Sequence, residues 1–334
     1  MVVRKRARNL LVGYPELAAV LVAAILGLSV QRPLAWITAR QGINVLLAVL
    51  VFATAVTIEP TALRRLAVAW RPLLAALAVG VTVLPVLAWA VSRLVAAGPL
   101  RDGVMAVGLA PCEIASVATT AMAGGEAALA AGVLIGSTFT SVAFAGPVLT
   151  LEAGHGGVSP GGIIANLALV VALPLAVGIT LRAGVLPVPL ARASARVLAT
   201  ARAERIASAT AVFAVAALVA LIAAEVHLSA RYAAVGGALV LFLAASALAG
   251  RLLGARVNPR AREALLLTTS MRDFAVAAGL ATAAFGPAAA APLGLYGILV
   301  LVWGTAVAGL LRSRATSRSP GSARPPGSAR SPGR

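Results

Sequence analysis

A chain of 334 residues that is 60% hydrophobic and 11% charged, with a mean hydropathy of +0.98, lacks the polar surface that a water-soluble globule needs. Soluble domains are about 45–50% apolar and about 25% charged, so the composition is that of an integral membrane protein. The net charge of +18 does not mark a nucleic-acid binder, because the arginines lie between apolar runs and not in one patch with interleaved aromatics. An aromatic share of 4% and the lack of strand alternation exclude a barrel with aromatic girdles.

In chain order, residues 1–12 form a basic tail, MVVRKRARNLLV, with no small-residue cleavage site to mark a signal peptide. Apolar runs near the ~20 residues that a helix needs to cross a bilayer follow along the whole length. They predict spans at 13–31, 41–58, 72–92, 103–123, 127–149, 161–181, 207–225, 233–250, 263–285 and 292–311. Residues 13–312 are thus expected to form one domain of ten membrane helices. Beyond it, residues 313–334 read SRATSRSPGSARPPGSARSPGR, a composition that predicts a disordered tail able to touch anionic lipid.

Alternate connections differ sharply in basic content. With the N-terminus inside, 22 of the 28 basic residues fall on the inner side, five on the outer side, and Arg272 alone within a span. The positive-inside rule then predicts that both termini are cytoplasmic, on a multi-pass protein of the cell membrane. The two histidines, His155 and His227, fall in outer connections and read as solvated. Cys112 is the only cysteine, so no intramolecular disulfide can form.

Two spans stand out. The fourth contains Pro111, Cys112 and Glu113, and the ninth contains Thr268, Thr269 and Ser270 followed by Arg272 and Asp273. Each is the fourth span of a five-span half, at about 13–150 and 161–311. An odd number of spans per half predicts inverted repeats, a plan in which interrupted helices build the site near the midplane. Charge in lipid is costly, from about 2.5 kcal/mol upwards, so Glu113, Arg272 and Asp273 are expected to share one water-accessible cavity. Proline disfavours helix at the residue before it and suits the first helical position, which predicts that one half-helix ends at Ala110 and that Glu113 is the third residue of the next. There it would either cap the N–H groups, with Arg272 as ion partner, or handle a proton or substrate. Arg272 reads as a structural partner or as a ligand for a substrate carboxylate. On a continuous helix Arg272 and Asp273 would point about 100° apart. Cys112 is a small filler or a soft ligand for a metalloid.

The segments GLAPCEIASVATTAMAGGEAALAAGVLIGST (108–138) and TTSMRDFAVAAGLATAAFGP (268–287) resemble the fourth-to-fifth and ninth-span motifs of the bile acid:sodium symporter superfamily. The resemblance implies two inverted five-helix repeats, unwound fourth and ninth helices that cross, and transport of an organic anion, commonly with sodium. It implies no catalytic residues, no cofactor beyond a coupling ion, and a small molecule and membrane lipid as partners. In that family the sodium ligands are a Ser-Asn pair, a Ser and a Thr on the next span, and a Glu and a Gln on the ninth. The matching positions here are Ser116 and Val117, Ala130 and Leu134, and Thr268 and Arg272. With so few oxygens left, the resemblance implies a degenerate sodium site, and a proton on Glu113 or Asp273 is the other candidate for coupling. GLAPC and the phenylalanine-centred ninth span also resemble the arsenite permeases of the superfamily, although Phe274 is followed by Ala275 where those have Glu. Loss of transport altogether, in a protein with a degenerate site, is the reading outside the transporter class.

Overall fold

The computed structural model of the chain describes residues 15–58, 69–152, 159–184, 197, 200–224, 226 and 231–317. Among the described residues the regular structure is helical apart from one isolated two-residue bridge. The basic start, both histidines and residues 318–334 lie outside them.

The first apolar run forms α1 (Pro15–Ser29), followed by α2 (Gln31–Ala39) and α3 (Gly42–Ala55). The spans expected at 13–31 and 41–58 leave 32–40 as an outer connection, and most of it, 32–39, is helical. Gln41, at φ 67°, makes the corner between α2 and α3, which meet at 75°. Trp36 of α2 is exposed and carries the Arg40 guanidinium 3.9 Å above its ring. Similar pairs, Arg71 on Trp70 and Arg93 on Trp89, stand at helix ends, the place where amphipathic rings and cations mark a membrane interface.

The third run is α4 (Trp70–Val81) with α5 (Val83–Ser92), and the fourth is α6 (Pro99–Ala106) and α7 (Ala115–Met122) with a break between them. Then come the long α8 (Ala127–Glu152), α9 (Pro160–Leu167) and α10 (Leu173–Ala183). A π turn at Ala168–Ala172 carries α9 into α10 ahead of Pro174, where a regular ladder would lose an N–H. The second half continues with α11 (Ala201–Ala224), α12 (Arg231–Leu253), α13 (Pro259–Ser270), α14 (Phe274–Phe285) and α15 (Ala291–Ser317). The last helix runs to Ser317, into the stretch expected to be disordered.

Six helical segments among the described residues are long and apolar enough to cross a membrane: 70–92, 127–149, 160–183, 201–224, 231–256 and 287–313. The bent pair α2 and α3 makes a seventh if it is one span. The protein is therefore an all-helical, multi-pass membrane protein.

Helices α1, α3, α10 and α11 pack on one another, and α4 to α8 pack with α12 to α15 in a second, more deeply buried body. In that second body α14 is buried on every side from Phe274 to Ala281, which explains its lack of any polar face. Small residues set the spacing around it. A Cβ on Gly250 would lie 2.7 Å from the Leu265 carbonyl oxygen, and one on Gly108 would lie 2.6 Å from that of Leu84. Such close backbone approach is how helices associate where lipid offers no hydrophobic drive.

Candidate functional site: a crossing of two broken helices

The fourth span unwinds where proline requires it. Val107–Leu109 tighten into a 3-10 turn and Ala110 is extended, at φ −67° and ψ 154°. The next helix does not begin at Pro111, however, but at Ala115. Glu113 is therefore not the third residue of a helix; it precedes the helix by two residues. The ninth span breaks too, although SMRDF contains neither proline nor glycine: Ser270 ends α13, and Met271 and Asp273 are extended.

Each break holds the other open. Cys112 and Arg272 face each other as an antiparallel bridge, with Glu113 N–H donating to the Met271 carbonyl at 2.8 Å and Asp273 N–H donating to the Pro111 carbonyl at 2.9 Å. The remaining freed backbone groups find side chains. The Leu109 carbonyl accepts from Ser141 Oγ at 2.6 Å, Cys112 N–H donates to Ser137 Oγ at 3.1 Å, and the Ala110 carbonyl accepts from the Arg272 guanidinium. Arg272 N–H donates to the Tyr296 hydroxyl at 3.2 Å, and that hydroxyl donates to the Ser270 carbonyl at 3.4 Å. Non-helical backbone at membrane depth is tolerated only when it is buried and satisfied in this way.

The bridge also sorts the charges. Successive side chains on extended backbone point to opposite sides, and directly opposed residues share a side. Cys112 and Arg272 therefore occupy one face, and Glu113 and Asp273 the other. No ion pair joins Arg272 to Glu113 among the described residues, whereas Arg182 pairs with Glu204 at 2.5 Å between α10 and α11. The expected Glu113–Arg272 pair is thus corrected, because the extended backbone puts the two on opposite faces, as is the 100° separation of Arg272 and Asp273, which assumed helix through the break. Arg272 is 3% exposed, with its guanidinium bonded to Ala110 at the carbonyl end of one half-helix, where a cation is favoured.

Both carboxylates lie at helix N-termini. Asp273 caps α14, its Oδ1 accepting from Ala275 and Val276 N–H at 2.9 Å each. The Glu113 carboxyl group is approached by the N–H groups of Phe274, Ala115 and Ile114. Its residue is 4% exposed, and Oε2 takes no hydrogen bond.

Glu113 lies on the wall of a cavity of about 440 Å³ between the two bodies. The other walls are mostly apolar and come from α3, α7, α8, α11 and α15, with Thr54, Thr57 and Ser208 as the hydroxyls. Asp273 borders a separate void of about 10 Å³, on the other side of Ile114 and Leu134. Of the three charges expected to share one cavity, only Glu113 lines it among the described residues; Asp273 borders the small void beside it, and Arg272 and Cys112 line neither. A thiol on the far face gives a metalloid nothing to meet in the cavity.

The sodium positions implied by the resemblance do not form an oxygen cage. Val117, Ala130 and Leu134 have no side-chain oxygen; Ser116 Oγ turns to Cys112 Sγ at 3.8 Å and Thr268 Oγ1 to the Ala264 carbonyl at 2.8 Å. The residues present do not fit a hard cation, which needs several oxygens.

Sequence reasoning missed Ser137, Ser141 and Tyr296, which hold the crossing. The two serines sit four apart on α8 and so share a helical face, and Tyr296 is a tyrosine inside an apolar run, one of three in the chain. Thr54 and Ser208 had no signal, since only packing brings their helices to the cavity.

Comparison with curated proteins returns no significant match. The family model described as Sodium Bile acid symporter family matches residues 44–234, from α3 through the broken fourth span to the start of α12. That is more than half of the chain and contains most of the cavity, so the protein belongs to the sodium bile acid symporter family of membrane transporters.

Proposed function

We propose that this protein carries an organic anion across the cell membrane by secondary active transport, with a proton on Glu113 in the place of sodium as the coupling ion. The observation that supports this reading best is the contrast within one site. A buried carboxylate with an unpartnered oxygen lines the cavity, while the positions that hold sodium in the family carry aliphatic side chains, back-bonded hydroxyls and a guanidinium. Intramembrane carboxylates on a cavity wall are the usual carriers of coupling protons.

Ten spans in two inverted halves, with both termini cytoplasmic, is the layout that agrees with the charge asymmetry. In that layout Ile58, Ala127 and Ser208 stand at cytoplasmic span ends, so the cavity opens inward, and alternating access moves the body of α1, α3, α10 and α11 against the body that contains the crossing. The half-helix N-terminus of α7 lies on the wall of the cavity, as in transporters that receive anionic groups at such ends.

Uptake of labelled organic acids into proteoliposomes tests the reading. Accumulation is expected under an inward proton gradient and is expected to be indifferent to replacement of sodium by choline. In Glu113→Gln, exchange of internal for external substrate persists but accumulation against a gradient is lost. Strict sodium dependence, or proton-driven accumulation by Glu113→Gln, would overturn it.

A further inference from the structure

The N–H groups at the starts of α7 and α14 lie beside carboxylates that belong to the chain. Asp273 consumes those of Ala275 and Val276. The Glu113 carboxyl group lies against those of Phe274, Ala115 and Ile114, which is where the starts of α7 and α14 offer their unpaired donors and the positive ends of their dipoles. A second observation is independent of these helix ends: Glu113 Oε2 is fully buried, has no donor, and belongs to a residue on the wall of the 440 Å³ cavity. The carboxylate therefore sits where an entering anion would make its best contacts.

Among the described residues of the lining, none besides Glu113 carries or can take a charge. The lining from α3, α8, α11 and α15 contains no ionisable side chain. Among the described residues the titratable groups near Glu113 are Asp273, Cys112 and Tyr296, all buried, and the Arg272 guanidinium is engaged with Ala110 on the opposite face. An anion bound beside ionised Glu113 would bring a third carboxylate next to Glu113 and Asp273 in a poorly screened site, where like charges repel strongly.

We infer that Glu113 is a tethered competitor for the substrate's own carboxylate. Ionised, it fills the anion place; protonated, it yields the N–H groups to the entering acid, so that one proton from bulk water resides on Glu113 for each anion bound. The largely apolar walls select a monoanionic acid with an apolar body. This inference rests on the organic-anion reading above, and adds to it why proton and anion must travel together.

The test uses the full chain purified in detergent, and one arm needs no knowledge of the natural substrate. In Glu113→Ala the anion place is vacated, so acetate raises the melting temperature saturably while acetamide does not, and the unaltered protein responds to neither. In the other arm, calorimetric titration with phenylacetate, an acid of the selected class, gives for the unaltered protein a Kd that rises about tenfold per pH unit once Glu113 ionises, the slope of one linked proton. Glu113→Gln binds phenylacetate with an affinity flat in pH. The competitor idea is overturned if Glu113→Ala ignores acetate, if Glu113→Gln keeps the pH slope, or if Glu113→Gln binds no phenylacetate. Should Glu113→Ala not fold, the glutamine variant decides alone. Acetate rescue in a protein that transports no acid would sink the transport reading and leave the competitor standing; proton-driven transport without rescue would do the reverse.

Discussion

Cys112 and Arg272 lie on one face of the crossing and Glu113 and Asp273 on the other, although all four belong to two short, similar stretches of backbone. On the first face the guanidinium is bonded to the Ala110 carbonyl and the thiol receives the Ser116 hydroxyl, and neither residue lines the cavity. On the second, the carboxylates lie at helix N-termini, Glu113 on the wall of the cavity and Asp273 on a small void beside it. Both faces bury ionisable groups to 4% exposure or less, so burial does not separate structure from function. What separates them is whether the charge meets only chain atoms or also a space that a ligand can enter.

Substitutions can break that comparison, and the largest effect is expected at Asp273. Asp273→Ala leaves the Ala275 and Val276 N–H groups buried without acceptors, at about 1–3 kcal/mol each, and lowers the melting temperature in detergent more than any other change at the crossing. Asp273→Asn retains an acceptor oxygen and loses much less. Arg272→Met orphans the Ala110 carbonyl and costs about 1–3 kcal/mol in the same assay. If the Arg272 face is structural, the remaining folded protein keeps its proton-driven uptake and gains no sodium dependence; loss of coupling with unchanged stability would reverse the assignment of the two faces.

Glu113→Gln sharpens the contrast from the other side. It removes a buried carboxylate whose Oε2 has no partner, so it melts at or above the unaltered protein, by about 1 kcal/mol or less, while losing concentrative uptake. The smallest effect is expected from Cys112→Ala, an atom-sized deletion in a packed face, at about 1 kcal/mol. Arsenite tolerance of cells expressing the protein is unchanged by it, since the thiol does not border the cavity; loss of tolerance would restore the metalloid reading.

Much of this was legible in the residues. Apolar run lengths indicated a membrane protein, and helices occupy the regions where the runs predicted them. Pro111 marked a break, and Glu113, Arg272 and Asp273 were recognisable as the charges that such a chain must shelter. The misreadings share a cause. Pro111 says that a helix stops but not where it resumes, and it resumes at Ala115 because the intervening amides are satisfied by Met271 and Ser137. Nothing in SMRDF breaks a helix by propensity; the break exists because Pro111 and Glu113 are there to pair with it. Pairing Glu113 with Arg272 follows from counting charges, and fails because extended backbone turns neighbours to opposite sides.

The sequence by itself determined the solvent in which this protein folds, the helical class, and the few ionisable side chains that have to be buried, because these depend on composition and on run length. Tertiary structure alone decided which of those charges face a cavity. That choice rests on hydrogen bonds between backbones some 160 residues apart, as between Glu113 and Met271, and on the pleat they impose, and no local pattern of residues encodes either.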